Sequence, residues 1–262
     1  MSTSVRVGTE STATLGGRRE TLISRIARQT GRMGLLFPAV ALMAVFLIGP
    51  IAYSVYGSLT NAALSGYKAA NPEFVGLENY AELLTSNAFW KAVLLTVIFV
   101  FASAVVGQNI LGLALAMLMR KAPKILSTLV GGVVVIAWVM PEIVAAFALY
   151  AFFSTDGTLN ALLSYIGLGG TTWLLTFPMF SVIMANIWRG TAFSMMVYSA
   201  ALAEVPPEIQ EAAKVDGARG SQRFFFVTLP MIKGSISTNL LLTTLQTLGV
   251  FTLLWVMTGG GP

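Results

Sequence analysis

Glu211 to Pro230 reads EAAKVDGARGSQRFFFVTLP, the longest polar interruption in the apolar part of this chain. Its punctuation is ordered. Just upstream, Pro206 and Pro207 stop the preceding segment and preset a first helical turn. Glu208 and Glu211 place negative charge where a helix N-terminus favours it. Ala212 and Ala213 are strong helix formers whose small side chains leave a surface another backbone can approach. Gly217 can take the left-handed conformation that ends a helix. A second short segment, Arg219 to Phe226, leads to Leu229 and Pro230 and back into apolar sequence. The pattern predicts a helix–turn–helix elbow at 204–230 held between two membrane spans.

Composition decides the solvent. The chain is 56% hydrophobic and 10% charged, with a mean hydropathy of +0.78. So few charges cannot cover a soluble core, so most of the chain is solvated by lipid. Without cysteine or histidine, thiol chemistry, disulfides, His-assisted catalysis and the common zinc sites are excluded. The net charge of +5 would fit a nucleic-acid binder only if the cations formed a soluble patch. They lie instead in loops on one side of the membrane.

The expected class is all-α and polytopic. A tail at 1–33 carries Arg6, Arg18, Arg19, Arg25, Arg28 and Arg32. The apolar run after it is longer than the core of a secretory signal. Spans are expected at 34–59, 89–119, 125–153, 172–190 and 231–257, with 191–205 lying partly along the inner interface. Pro141 and Glu142 fall inside the third span. Arg120, Lys121 and Lys124 mark one short loop, and Lys214, Arg219, Arg223 and Lys233 mark the elbow. Only Lys68 and Lys91 fall in the opposite segments, so the positive-inside rule puts the N-terminus and the elbow in the cytoplasm. Trp90, Trp173, Tyr53, Tyr56 and Tyr80 fall near span ends, as aromatic belts do.

Glu211-Ala212-Ala213, Asp216-Gly217-Ala218, Phe224 and Leu229-Pro230 together resemble the EAA loop of inner-membrane permease subunits of binding-protein-dependent ABC importers. Phe74-Val75-Gly76-Leu77-Glu78-Asn79-Tyr80 and Asp156-Gly157-Thr158-Leu159-Asn160 are similar to phrases of the carbohydrate-uptake branch. The resemblance implies that the elbow docks into a separate ATPase, with Glu211, Ala212, Ala213, Asp216, Gly217, Leu229 and Pro230 forming the coupling site. It also implies a second permease subunit, an ABC ATPase dimer, an external substrate-binding protein, membrane lipid and a small-molecule sugar as partners. No nucleic acid and no cofactor are implied, and the location would be a bacterial plasma membrane. Relatives continue beyond a T-G-G-P phrase, so a sixth span past Pro262 is expected. Phe225 and Phe226 depart from the pattern, as does Gly234 where many relatives have proline.

No lysine follows a glycine, so the phosphate-cradling P-loop is absent and this chain is not the ATPase. Polar residues inside spans are the remaining candidates, because they are expensive in lipid and face a cavity or a partner helix. Glu142 either lines a substrate path or pairs with Arg189 across two helices. Asn186, Asn239, Thr243 and Gln246, with Gln108, Asn109 and Thr244, either meet sugar hydroxyls or bind helices together. Two other classes fit the composition. One is an ion-driven secondary transporter with Glu142 and Arg189 as its relay, and the other is a non-transporting membrane scaffold. The elbow, and the lack of an internal repeat, count against the first.

Overall fold

The computed structural model describes residues 36–260; the 1–33 tail lies outside them. The chain divides into two units at Ser86 and Asn87.

In the first unit, α1 (Leu36–Ser58) is apolar along its whole length, and none of its residues is buried. Its turn widens at Ala44–Ile48, just before Pro50, which has no N–H to donate to the preceding turn. An antiparallel bridge between Thr60 and Phe74 and then α2 (Glu78–Thr85) close the polar stretch that follows α1. Asn79 donates to the carbonyls of Ser58 and Thr60 at 2.9 and 2.8 Å, and the Tyr80 hydroxyl meets Ser58 Oγ at 2.7 Å. The asparagine and tyrosine of that phrase therefore tie the loop to the end of α1.

The second unit is built around two long helices. The first, α3 (Asn87–Lys121), runs for 35 residues and stops before Ala122-Pro123, because the residue preceding a proline is driven out of helical geometry. The same rule divides the third expected span. Met140 and Pro141 take extended ψ values of 133° and 136°, which separates α4 (Lys124–Val139) from α5 (Glu142–Phe153). The chain bends there by 108°, so 125–153 is not one continuous helix. The turn at 154–157 leads into α6 (Thr158–Tyr165). Asn160 pins this turn by donating to the Thr155 and Thr171 carbonyls and accepting from Trp173 Nε1.

The second long helix, α7 (Pro178–Ala203), has 26 residues, about 39 Å at the helical rise. It starts later than the expected fourth span and runs through 191–203 as regular helix, where an interfacial segment was expected. The reason is its position. Twelve of its residues are buried, so Asn186, Thr191 and Ser194 face protein and the helix need not end where its hydropathy falls. After it come the elbow helices α8 (Pro207–Val215) and α9 (Gly220–Met231), then α10 (Lys233–Leu248) and α11 (Thr252–Thr258). The expected fifth span is thus interrupted twice, at Ile232 with a 69° bend and after Leu248.

Among the described residues, α1 and α3 are each long and apolar enough to cross a membrane, and the two bent pairs raise the number to four if each is one span. The core that holds the second unit together is small-residue packing. Ala104, Ala116, Ala146, Ala185 and Ala192 are all nearly inaccessible. α3 and α7 approach so closely that a Cβ on Gly112 would sit 2.4 Å from Ser194 Cβ and 2.9 Å from Met195 N. With no water to expel between apolar helices, close backbone approach and interhelical hydrogen bonds are what hold such a bundle.

Candidate functional site

The elbow forms as its proline and glycine punctuation directs. Pro206 is extended, Pro207 opens α8, and Glu208 lies in its first turn. Gly217 has φ +79°, and its N–H bonds the Lys214 carbonyl while that of Ala218 reaches Ala213. This is the six-to-one plus five-to-two closure that a left-handed C′ glycine permits. Asp216 is the C-cap of α8, whereas the start of α9 is closed by Gln222, whose side-chain oxygen accepts from Arg219 N–H at 2.8 Å.

At 100° per residue, Glu208, Glu211, Ala212 and Val215 share one face of α8, and all four are exposed. Gln210 and Ala213 point the other way and are half-buried. The two alanines of the motif therefore do different jobs: Ala212 is outward and Ala213 lies against its own chain. Gln210 Nε2 donates to Thr228 Oγ1 at 2.8 Å, which clamps α8 onto α9. Thr228 sits in a widened turn, Phe224–Thr228, ahead of Leu229 and Pro230. Pro230 has no N–H for the turn before it, which accounts for the widening. Phe225 and Phe226 are 58% and 78% exposed, so neither packs on the bundle.

One residue, Ile232, joins this clamp to α10, and α10 is bonded into the core. Asn239 Nδ2 donates to Asn109 Oδ1 at 2.8 Å and to Ser194 Oγ at 2.9 Å. Tyr198 donates its hydroxyl to Asn109 Oδ1. Asn109 Nδ2 in turn donates to the Ala104 carbonyl five residues back, one that the widened turn Phe101–Gln108 leaves within reach. Nearer the other end of α10, Asn186 Nδ2 bridges Ser103 and Thr247. Thr243 is buried and returns its hydroxyl to the Asn239 carbonyl, whereas Gln246 is exposed. The uncharged polar residues singled out in the sequence thus all lie on three helices, α3, α7 and α10, with Gln246 outside the buried set.

Glu142 and Arg189 do meet. Arg189 Nη1 lies 3.9 Å from Glu142 Oε2, and the other carboxylate oxygen accepts from Leu253 N–H at 3.1 Å. Glu142 therefore ties α5 to α7 and also caps the N-terminus of α11, where negative charge is favoured. Arg189 Nε is buried without a partner.

This elbow–helix arrangement has known counterparts. A family model described as binding-protein-dependent transport system inner membrane component matches residues 108–262, which include the elbow and all of α10. The chain belongs to that family. It is an inner-membrane transport permease. The trehalose/maltose transport system permease protein MalF of Thermococcus litoralis is 32% identical over 246 residues, covering 92% of this chain and 82% of that protein. The sulfoquinovosyl glycerol transport system permease protein SmoG of Agrobacterium fabrum is 33% identical over 236 residues, covering 87% and 74%. Among solved structures, a chain of a bacterial alginate ABC transporter in complex with an alginate pentasaccharide-bound periplasmic protein superposes with a TM-score of 0.69. It is 25% identical and covers 91% of this chain and 83% of its own.

Three residues of the permease carry weight that the sequence reading did not assign. Gln210 clamps the elbow, Tyr198 joins the buried polar layer, and Thr247 both meets Asn186 and lines a cavity of about 450 Å³ with Thr96, Phe99 and Val182. Only Gln210 had a local signal, as the one uncharged polar side chain on the inward face of α8. Gln210→Ala is expected to loosen the elbow by about 1 kcal/mol. Amide hydrogen exchange across 208–228 should then speed up about fivefold while the melting temperature of the whole chain holds. Unchanged exchange there would show that the clamp contributes nothing.

Proposed function

We propose that this permease forms one half of the path by which an ATP-driven importer takes up a sugar or oligosaccharide. The other half is a second permease chain, and an external binding protein delivers the substrate. A separate ATPase dimer docks on the elbow from the cytoplasm, where the N-terminus also lies. The observation that carries the reading is a rigid, outward-facing lever with one joint. α8 is opened by Pro207, closed at Gly217 and clamped by Gln210, and it presents Glu208, Glu211, Ala212 and Val215 to solvent. Motion of that lever passes through Ile232 to α10, and through Asn239 to α3 and α7.

Family relatives named for trehalose, maltose and sulfoquinovosyl glycerol transport support a carbohydrate substrate. Asn186, Thr243 and the amide nitrogen of Asn239 already spend their hydrogen bonds on neighbouring groups, which supports a role in holding helices, while Asn239 Oδ1 is buried without a partner. Gln246 is exposed on α10, where its amide can meet a sugar hydroxyl. Glu142 and Arg189 act as a structural tie that sets the position of α11.

The test compares wild type with Glu211→Lys in cells carrying the whole transporter, by sugar uptake and by co-purification of the ATPase. The variant chain should reach the membrane at wild-type levels, retain less than about a tenth of the ATPase and lose uptake in proportion. Normal ATPase retention with normal uptake would sink the coupling assignment and favour a scaffold.

A further inference from the structure

Beside the clamp lies a cleft of about 600 Å³ between the end of α3 and the start of α9. Arg120 and Lys121 supply one wall and Arg223 the other, and Met117, Leu202 and Phe224 make its apolar lining. Among the described residues, no carboxylate lines it. Gln210 and Thr228 lie at its edge but already bond each other. Among the described residues, none of the three cations has an ion pair, and Arg223 Nε is buried without a hydrogen-bond partner. Phe225, at the mouth, is 58% exposed, and its neighbour Phe226 is 78% exposed.

Three unpaired cations around a cleft, next to two phenylalanines left in the open, form an amphipathic receptor. The cations call for a compact anion, and the rings call for hydrocarbon. An anionic glycerophospholipid carries both in one molecule, with its phosphate at membrane-surface depth. We propose that this cleft holds the phosphate of an anionic phospholipid whose acyl chains run over Phe225 and Phe226. The bound lipid anchors the elbow to the leaflet at the same level as the end of α3. A hydrolysing subunit pushing on α8 then works against a fixed membrane surface. The placement rests on the membrane reading of the family, and the role in coupling rests on the proposed function.

The test uses the assembled transporter, purified with its partner subunits. It is exposed to equal amounts of phosphatidylglycerol and phosphatidylcholine and analysed by native mass spectrometry. Phosphatidylglycerol should be retained in preference to phosphatidylcholine. Arg223→Gln and Lys121→Gln, on opposite walls, should each lower that retention about fivefold, and Arg223→Lys should restore most of it. Millimolar inorganic phosphate should fail to displace the lipid. Equal retention of the two lipids, or wild-type retention by both glutamine variants, would overturn the proposal. Displacement by inorganic phosphate would make this a free-anion site and overturn it too. Loss of the ATPase subunit from Arg223→Gln complexes, with lipid retention intact, would assign the cleft to a protein contact instead. Failure of the coupling reading appears separately, as ATPase retention by Glu211→Lys.

Discussion

Gly112→Val is expected to abolish the folded permease, with little full-length chain surviving detergent extraction. The added Cβ would lie 2.4 Å from Ser194 Cβ and 2.9 Å from backbone atoms of Ser194 and Met195. Backbone cannot rotate away as a side chain can, so α3 and α7 would have to separate. That separation would stretch the Asn109 contacts to Tyr198 and Asn239 as well. Overpacking alone costs about 3 kcal/mol, and the polar layer adds to it. Gly132→Val in α4 is the control, because nothing lies within 4 Å of a Cβ there. The measurement is the fraction of monodisperse protein after solubilisation, with its thermal inactivation temperature. Equal behaviour of the two variants would mean that the close crossing of α3 and α7 does not hold the bundle.

Glu142→Leu should be the next most damaging change, lowering stability by about 2 kcal/mol. It removes the cap on Leu253 N–H and leaves Arg189 without its counter-charge. About a quarter of each side chain is exposed, so the charge contribution is well below that of a fully buried pair. Glu142→Gln keeps an oxygen for Leu253 and should be milder. Adding Arg189→Leu to Glu142→Leu should recover part of the loss, because the unpaired cation is then gone. A thermal-shift series on wild type, Glu142→Leu, Arg189→Leu and the double variant closes the cycle and reads the coupling directly. No recovery in the double variant would show that the cap carries the whole effect and the ion pair none.

How far these features could be read from the chain depends on how far apart their partners lie. The elbow was legible because its causes are local. Pro206 and Pro207 open a helix, Gly217 closes it, and the bonds of that closure span no more than five residues. The break at Met140 was signalled by Pro141, but its 108° bend was not, because a bend angle depends on what each half packs against. The widened turns at Phe101–Gln108 and Phe224–Thr228 left no mark that periodicity could detect.

Composition and local punctuation were enough to establish that lipid is the main solvent, that the fold is helical, and that a helical elbow interrupts it. Those conclusions follow from composition and from short-range punctuation, which act wherever the chain goes. Which polar groups meet was settled by the packing of the helices. Asn109 finds Asn239 130 residues away, and Glu142 finds Leu253 111 residues away. The packing also decided that Ala213 turns inward while Ala212 faces out, and that α7 stays helical to Ala203. A buried polar side chain carries no record of its partner in its own neighbourhood. The partner is chosen by how closely two backbones approach, and glycines at distant positions set that distance.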